Sequence, residues 1–449
     1  LTGAVKITPL EGLVINADYT YNIYSKNASE VQRTFTDYTA VAGTEALYGW
    51  TKPSYANYTT NEDYYYAFNA FAEYSKSFLE NTHNFKIMAG YNQEKKSNKK
   101  YNAKRTNLIV EDIPDLDLAT GEQSMSSEDT YWAINGFFFR FNYNYKQRYL
   151  LEVNGRYDGS SKFGKDNRWG CFPSVALGWR ISQEEFFPKD IALNNLKFRV
   201  SWGRLGNENA LGYYDFLALI STYNEMYQGY VKGNGDNAWA GSIARGLENR
   251  SLKWETTDTK NIGFDFGFFN SKLTGTLNYY YNQTEDLLIT KVLPPSAGMT
   301  NPTLNVGKIR NTGFELELNW GDAIKDFDYN IGFNMSTTKN KVVELSDADQ
   351  VLQGEGLKYG TEHFPTETRV GKPIGAFYLY RTDGIFQSMD EVNAHVNKDG
   401  QLLQPNAQPG DIRFKDLDGN GSIDAGDKEY CGSGIPTLEA NLNLSFGSK

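Results

Sequence analysis

The stretch from Trp132 to Arg180 holds three runs in which apolar and polar residues alternate. From Phe137 the odd positions read Phe137, Phe139, Phe141, Tyr143 and Tyr145, against Phe138, Arg140, Asn142, Asn144 and Lys146. After a tight turn the alternation resumes, with Tyr149, Leu151, Val153 and Tyr157 opposing Glu152, Asn154, Arg156 and Asp158. A third run sets Val175, Leu177, Trp179 and Ile181 against Ser174, Ala176, Gly178 and Arg180. A period of two means β-strands with one apolar and one polar face. These runs exceed the ~5–6 residues of an average globular strand and match the ~9–11 that a tilted strand needs to cross a bilayer. The pattern predicts an all-β chain, a segment of a transmembrane antiparallel β-barrel.

The same period predicts strands at 3–8 and 12–24, turning around Pro9-Leu10-Glu11, then near 63–77 and 83–97. Further strands are expected at 196–204, 256–269, 272–289, 304–320, 327–342 and 438–446. The runs KKSNKK and EDIPDLD, between the fourth strand and the central stretch, read as a basic and then acidic loop. Short and long connections alternate, as in outer-membrane barrels with tight periplasmic turns and long external loops. A soluble sandwich would also alternate faces, but it has no reason to gather its long loops at one end. The division is then 1–342 for barrel strands, 343–436 for a folded extracellular loop and 437–449 for one more strand. About 13 strands are expected, an odd number that cannot close an ordinary bacterial barrel. The sequence therefore reads as the middle of a larger barrel, from a processed or partial chain that opens on Leu1 without a signal peptide.

The central pattern also fixes a register. Matching apolar with apolar faces needs the odd loop Lys146-Gln147-Arg148, which pairs Tyr145 with Tyr149, Asn142 with Glu152 and Arg140 with Asn154. Arg140 would then lie diagonal to Glu152, in reach of an ion pair.

Composition narrows the function. Aromatics are 15% of the chain and Met is scarce at 6 residues, so the apolar face is built from Phe and Tyr. No run of 18 apolar residues occurs, which excludes a membrane-spanning helix. The mean hydropathy of −0.57 is compatible with a barrel, whose lumen and loops are polar. A net charge of −10 argues against nucleic acid as a partner. Two cysteines, Cys171 and Cys431, are too few for a disulfide framework. No catalytic motif occurs: His83, His363 and His395 are scattered, and HExxH, GxSxG and Walker A are absent. Trp50, Tyr223, Tyr227, Trp239 and Tyr359 are loop aromatics able to stack on sugar rings or peptide side chains, although packing among loops or a place in the aromatic girdle is the plainer reading of each. Ser182 with Glu185, and Ser388 with Glu391, have the spacing of helix capping boxes.

One local motif carries metal chemistry, DLDGNGSIDAGD at 416–427. Hard Ca²⁺ takes oxygen ligands, in a twelve-residue loop with a glycine at the sixth position. The spacing assigns the carboxylates of Asp416, Asp418, Asp424 and Asp427, the amide of Asn420 and the carbonyl of Ser422, with Gly421 at the sharp turn. The bland alternative is an Asp/Asn/Gly turn without metal.

Several stretches together resemble the SusC/RagA family of TonB-dependent outer-membrane transporters. They are RYLLEVNGRYDGSSKFG (148–164), FPSVALGWRISQEEFF (172–187), LKFRVSWGRLGN (196–207), LKWETTDTKNIGFDF (252–266), VGKIRNTGFELELNW (306–320), VGKPIGAFYLYRTDGIFQ (370–387) and GDIRFKDLDGNGSID (410–424). The resemblance implies a 22-stranded barrel with an amino-terminal plug, importing oligosaccharides or peptides. It implies a SusD-like surface lipoprotein and a TonB–ExbB–ExbD complex as partners, with outer-membrane lipid around the barrel; no plug is recognisable in this sequence. Two alternatives stand beside it, a siderophore or vitamin receptor and a soluble β-rich glycan-binding protein.

Overall fold

The computed structural model describes residues 1–38, 45–47, 52–223, 241–244, 246–291, 293, 295–346, 351–354 and 364–448. Its main feature is one 14-stranded antiparallel sheet. The strands are β1 (Thr2–Leu10), β2 (Leu13–Gln32), β3 (Tyr55–Phe78), β4 (His83–Thr106), β5 (Gln123–Tyr145), β6 (Tyr149–Ser160) and β7 (Trp169–Arg180), followed by β8 (Leu193–Asn207), β9 (Glu255–Phe268), β10 (Leu273–Glu285), β11 (Lys308–Ile324), β12 (Phe327–Thr337) and β13 (Lys339–Glu344). Strands consecutive in sequence lie side by side through β12; β13 pairs with β11, and the last strand, Leu438–Ser448, closes on β12. Contacts divide the chain into two units, one of Leu1–Val175, Gly206–Trp254 and Thr290–Leu304, the other of Ala176–Leu205, Glu255–Ile289 and Asn305–Lys449.

The two faces behave unlike those of a soluble protein. Phe137 and Phe139 are 53% and 49% exposed, and Ile15, Ile87, Leu277, Phe314 and Leu444 are exposed as well. The buried apolar residues instead cluster in connections. The Phe163 and Trp254 rings pack together in the first unit, and Ala56, at the start of β3, clusters with Leu108 and Ala119. A sheet with a bare aromatic face and its small cores in the loops needs an apolar medium against that face.

The central hairpin has the register read from the pattern: Tyr145 opposes Tyr149, Asn142 opposes Glu152 and Arg140 opposes Asn154. Lys146 and Gln147 turn the chain in the left-handed region, at φ 51° and 56°. The first turn differs from expectation. Pro9 lies inside β1, beside a register irregularity, and the chain turns at Glu11 and Gly12. Proline has no N–H for the ladder, so the pairing slips there. Gly12 sits at φ +84° with the Ser75 carbonyl where a Cβ would go.

The strands β2 to β5 run much further than the alternation predicts. KKSNKK is not loop: it continues β4, and Lys95 to Lys100 stay paired to β3 and β5. Beyond Gln93 both faces of β4 are polar, so the hydrophobic period ends while the hydrogen-bonded ladder goes on. The acidic EDIPDLD segment folds back on this extension, with the Thr34 N–H donating to Glu111 and the Tyr58 hydroxyl to the Pro114 carbonyl. The capping box expected at Ser182 and Glu185 does not form. Ile181–Gln183 is a single 3₁₀ turn without a side-chain cap, and Glu184 instead accepts from the Trp179 indole at 2.9 Å.

Between β13 and the last strand the chain builds β14 (Leu352–Gln353), β15 (Thr366–Thr368), β16 (Ala376–Tyr380), β17 (Thr382–Ile385), helix α1 (Met389–Ala394), β18 (Ile412–Phe414) and β19 (Lys428–Ser433). Strands β14, β15, β16 and β19 form one small sheet and β17 pairs with β18. The last strand is therefore β20 (Leu438–Ser448). Helix α1 forms half of the expected capping box: the Glu391 N–H donates to Ser388 Oγ, but Glu391 Oε2 accepts from the Gln387 N–H rather than from that of Ser388.

Candidate functional site

The 416–427 loop lies between β18 and β19. Its backbone wraps around carboxylates. Asp416 accepts from the Gly419 and Gly421 N–H groups at 2.7 and 2.9 Å. Asp418 accepts from the Asn420 N–H at 2.9 Å. Asp427 is fully buried, and accepts from the Leu417 N–H at 2.6 Å and the Asp424 N–H at 2.8 Å. Gly421, at the sixth position, has φ +87°, which a side chain would strain.

Carboxylate oxygens of Asp416, Asp418 and Asp427 converge within 4.8 Å of one another, an arrangement that could hold a metal ion. Of the remaining candidates, Asn420 sits against them, its amide nitrogen bridging Asp418 Oδ2 at 3.1 Å and Asp424 Oδ2 at 3.0 Å. Asp424 also serves the backbone, since its Oδ1 accepts from the Gly426 N–H and caps a 3₁₀ turn. Ser422 is reached through its N–H, which donates to Asn420 Oδ1 at 2.8 Å. The side chains of Trp50, Tyr223, Tyr227, Trp239 and Tyr359, and His363, lie outside the described residues.

The polar face of the main sheet carries a second class of site that motif reading missed, although each member stands at a polar position of the alternation. Arg199 grips Asp265 through Nε and Nη2, at 2.9 and 2.7 Å, and donates to Asn278 Oδ1 at 2.9 Å. Beside them, Glu315, Glu317 and Glu439 line a cavity of about 400 Å³ together with Asn278, Asn334 and Asn441. The ladder puts them in rows, Asn278 against Glu315, Glu315 against Ser336 and Ser336 against Glu439. Such a face suits polar solutes, and among the described residues it carries no catalytic constellation.

Residues 8–402 match the family model described as TonB dependent receptor-like, beta-barrel. The chain belongs to that family. It is 34% identical over 298 residues to the TonB-dependent receptor SusC of Bacteroides thetaiotaomicron, covering 65% of this chain and 27% of that protein. It is 30% identical over 373 residues to TonB-dependent receptor P3 of Formosa agariphila, covering 82% of this chain and 36% of that one. The fold matches that in the structure of the RagAB peptide transporter with a TM-score of 0.79 at 21% identity, over 99% of this chain and 45% of that chain. The chain thus spans about a third of the length of these curated relatives. As a TonB-dependent receptor barrel it resides in the outer membrane and is not an enzyme. This accounts for the bare aromatic face, which meets lipid, and for the polar face, which lines the lumen.

Proposed function

We propose that the intact protein imports oligosaccharides or peptides across the outer membrane, taking energy from a TonB–ExbB–ExbD complex and substrate from a SusD-like surface lipoprotein. The observation that carries this reading is the 34% identity to SusC over 298 residues. The fold it shares with the barrel of a protein described as a peptide transporter supports it. In this reading residues 1–342 and 437–449 supply barrel strands and 343–436 form an external loop domain.

Calcium is the structural cation proposed for that loop. Three convergent carboxylates, one of them fully buried, and a positive-φ glycine at the sixth position fit a hard oxygen-seeking ion. Asp416, Asp418, Asp424 and Asp427 would hold it with the Asn420 amide and the Ser422 carbonyl. For Asn420 this requires turning its oxygen toward the carboxylates it now approaches with nitrogen. The bound ion would neutralise clustered negative charge and staple the loop.

Uptake measurements test the transport reading. Cells carrying the intact gene should accumulate labelled oligosaccharide or peptide from a mixed pool. Accumulation should cease on deletion of the gene or on dissipation of the proton-motive force. Unchanged uptake after deletion would reject it.

A further inference from the structure

A second cavity, of about 420 Å³, opens on the polar face of β2, β3 and β4, lined by Lys26, Ala28, Thr59, Asn61, Asn98 and Lys100. The ladder arranges it. Lys26 pairs with Asn61 and Asn61 with Lys100, so two ammonium-bearing side chains flank one amide in a single row. Their backbones stand roughly 10 Å apart, two strand spacings. In the next row Ala28 opposes Thr59, and its small side chain leaves the space open.

Donors outnumber acceptors here. Asn98 Nδ2 donates to Asn61 Oδ1 at 2.7 Å and to Asp63 Oδ1 at 2.6 Å. Asn102 Nδ2 donates to Thr59 Oγ1 at 2.9 Å. Those acceptors are therefore engaged. What remains is the Asn61 amide hydrogens, the Thr59 hydroxyl hydrogen, two ammonium groups, and the Asn98 carbonyl as an acceptor. Among the described residues neither Lys26 nor Lys100 forms an ion pair, although Glu128 stands directly across the ladder from Lys100. The neighbouring lysines are engaged: Lys96 lies 3.5 Å from Asp63 and Lys104 sits 3.6 Å over the Tyr55 ring. Two free cations around a donor-rich space select an anion with acceptor oxygens.

We propose that this cavity is a subsite for acidic oligosaccharides, holding a sulfate or carboxylate group between Lys26 and Lys100 while sugar hydroxyls bond Asn61, Thr59 and Asn98. The proposal rests on the import reading and names a substrate class for it. A sugar fits the walls better than an acidic peptide does. Ala28 is the one apolar side chain in the lining, so apolar side chains find no pocket. At the cavity β3 and β4 are paired on both edges and β2 is paired to β3, while the other edge of β2 beyond Tyr21 has no partner among the described residues, so the preference for a sugar rests on the lining.

Calorimetric titration of the intact protein in detergent tests this, with dextran sulfate, tetragalacturonate, size-matched neutral dextran and a tetraglutamate peptide. At least one anionic glycan should bind at least ~10-fold more tightly than neutral dextran, and less tightly as salt is raised. The tighter of the two identifies the anion as sulfate or carboxylate. The double variant Lys26→Gln, Lys100→Gln should lose ~10- to 100-fold in affinity for it, the effect of removing charge-assisted contacts, with no change in unfolding temperature. Equal affinity in variant and parent, no binding of either anionic glycan, or equally tight tetraglutamate binding overturns the proposal. Binding to purified protein needs no energy source. A protein that binds the anion but imports nothing therefore refutes the transport reading alone, and one that imports but binds without regard to charge refutes this subsite alone.

Discussion

Arg140 and Glu152, diagonal neighbours on the polar face of the central hairpin, are joined through Asn154 rather than to each other. Arg140 Nε donates to Asn154 Oδ1 at 2.7 Å, and Asn154 Nδ2 donates to Glu152 Oε1 at 2.8 Å. Asn142 completes the set by donating to Glu152 Oε2 at 2.7 Å. The amide directly across the ladder satisfies the guanidinium at shorter range than the diagonal carboxylate, so the expected ion pair becomes a relay. Replacing Asn154 by Val removes both links at once, together with its donation to Ser174 Oγ at 3.2 Å. Each is worth about 0.5–1.5 kcal/mol, so the variant should lose ~1–4 kcal/mol in denaturant unfolding from detergent. Glu152→Gln should lose less, since it keeps an acceptor. Equal losses would show that the relay contributes nothing.

The lipid and lumen faces make opposite demands on the same strand. Phe139→Arg should cost roughly 2–4 kcal/mol if its position lies near mid-membrane, whereas Asn142→Arg, on the lumen side, should fold nearly as well as the parent. Cysteines at the two positions report the same contrast directly. A lipid-soluble quencher should reach a label at 139 and spare one at 142; the reverse order would invert the faces.

Two carboxylates separate metal binding from loop folding. Asp418→Asn keeps an acceptor for the Asn420 N–H and removes only charge, so it should abolish calcium-dependent resistance to proteolysis within 388–436 and leave the chelated protein unchanged. Asp427→Asn sets an amide among backbone donors in a fully buried position. It should cost about 1–3 kcal/mol and loosen the loop with or without calcium. If calcium leaves the cleavage rate of the parent unchanged, the loop is a turn without a metal.

The β17–β18 pair that leads into this loop should respond to acid. Lys415, bonded to the Asp383 carboxylate at 3.1 Å, holds its carboxyl below the usual carboxylate range, and Arg413 adds to the effect. A lowered folded-state pKa means stabilisation that is present above the unfolded value of ~3.9 and is lost as pH falls through the folded value. Amide exchange in the chelated protein should therefore quicken around β17 and β18 below about pH 4. Asp383→Asn should already exchange faster at neutral pH and show a flatter response to acid.

The sequence disclosed most where one face met lipid. Strict alternation from Phe137 to Tyr145, with the three-residue turn, specified the register of the central hairpin residue by residue, because a one-residue slip would expose every polar group to lipid. It disclosed least above the membrane. From Gln93 to Thr106 both faces of β4 are polar, so nothing in the pattern distinguishes a paired strand from a loop, and only backbone hydrogen bonding to β3 and β5 shows it. In the calcium-type loop, spacing located all six candidate ligands. The convergence of three of them, and the commitment of Asp424 to a cap, depend on local turns that spacing does not encode. Lys26 and Lys100 were invisible as a pair, since they meet only through two strand registers set by residues elsewhere.

The length of β3 and β4, 24 residues each, has an electrostatic consequence for whatever approaches the mouth. At ~3.3 Å per residue and a tilt of ~45°, such a strand climbs ~55 Å, of which the apolar band takes ~25 Å. The strand ends then stand ~30 Å above the apolar band and roughly 20–25 Å clear of the headgroups, about three Debye lengths at physiological ionic strength. At that height the potential of an anionic membrane surface has decayed to a few per cent of its value. A negatively charged solute arrives there almost unrepelled by the membrane, and the first fixed charges it senses are those of the protein.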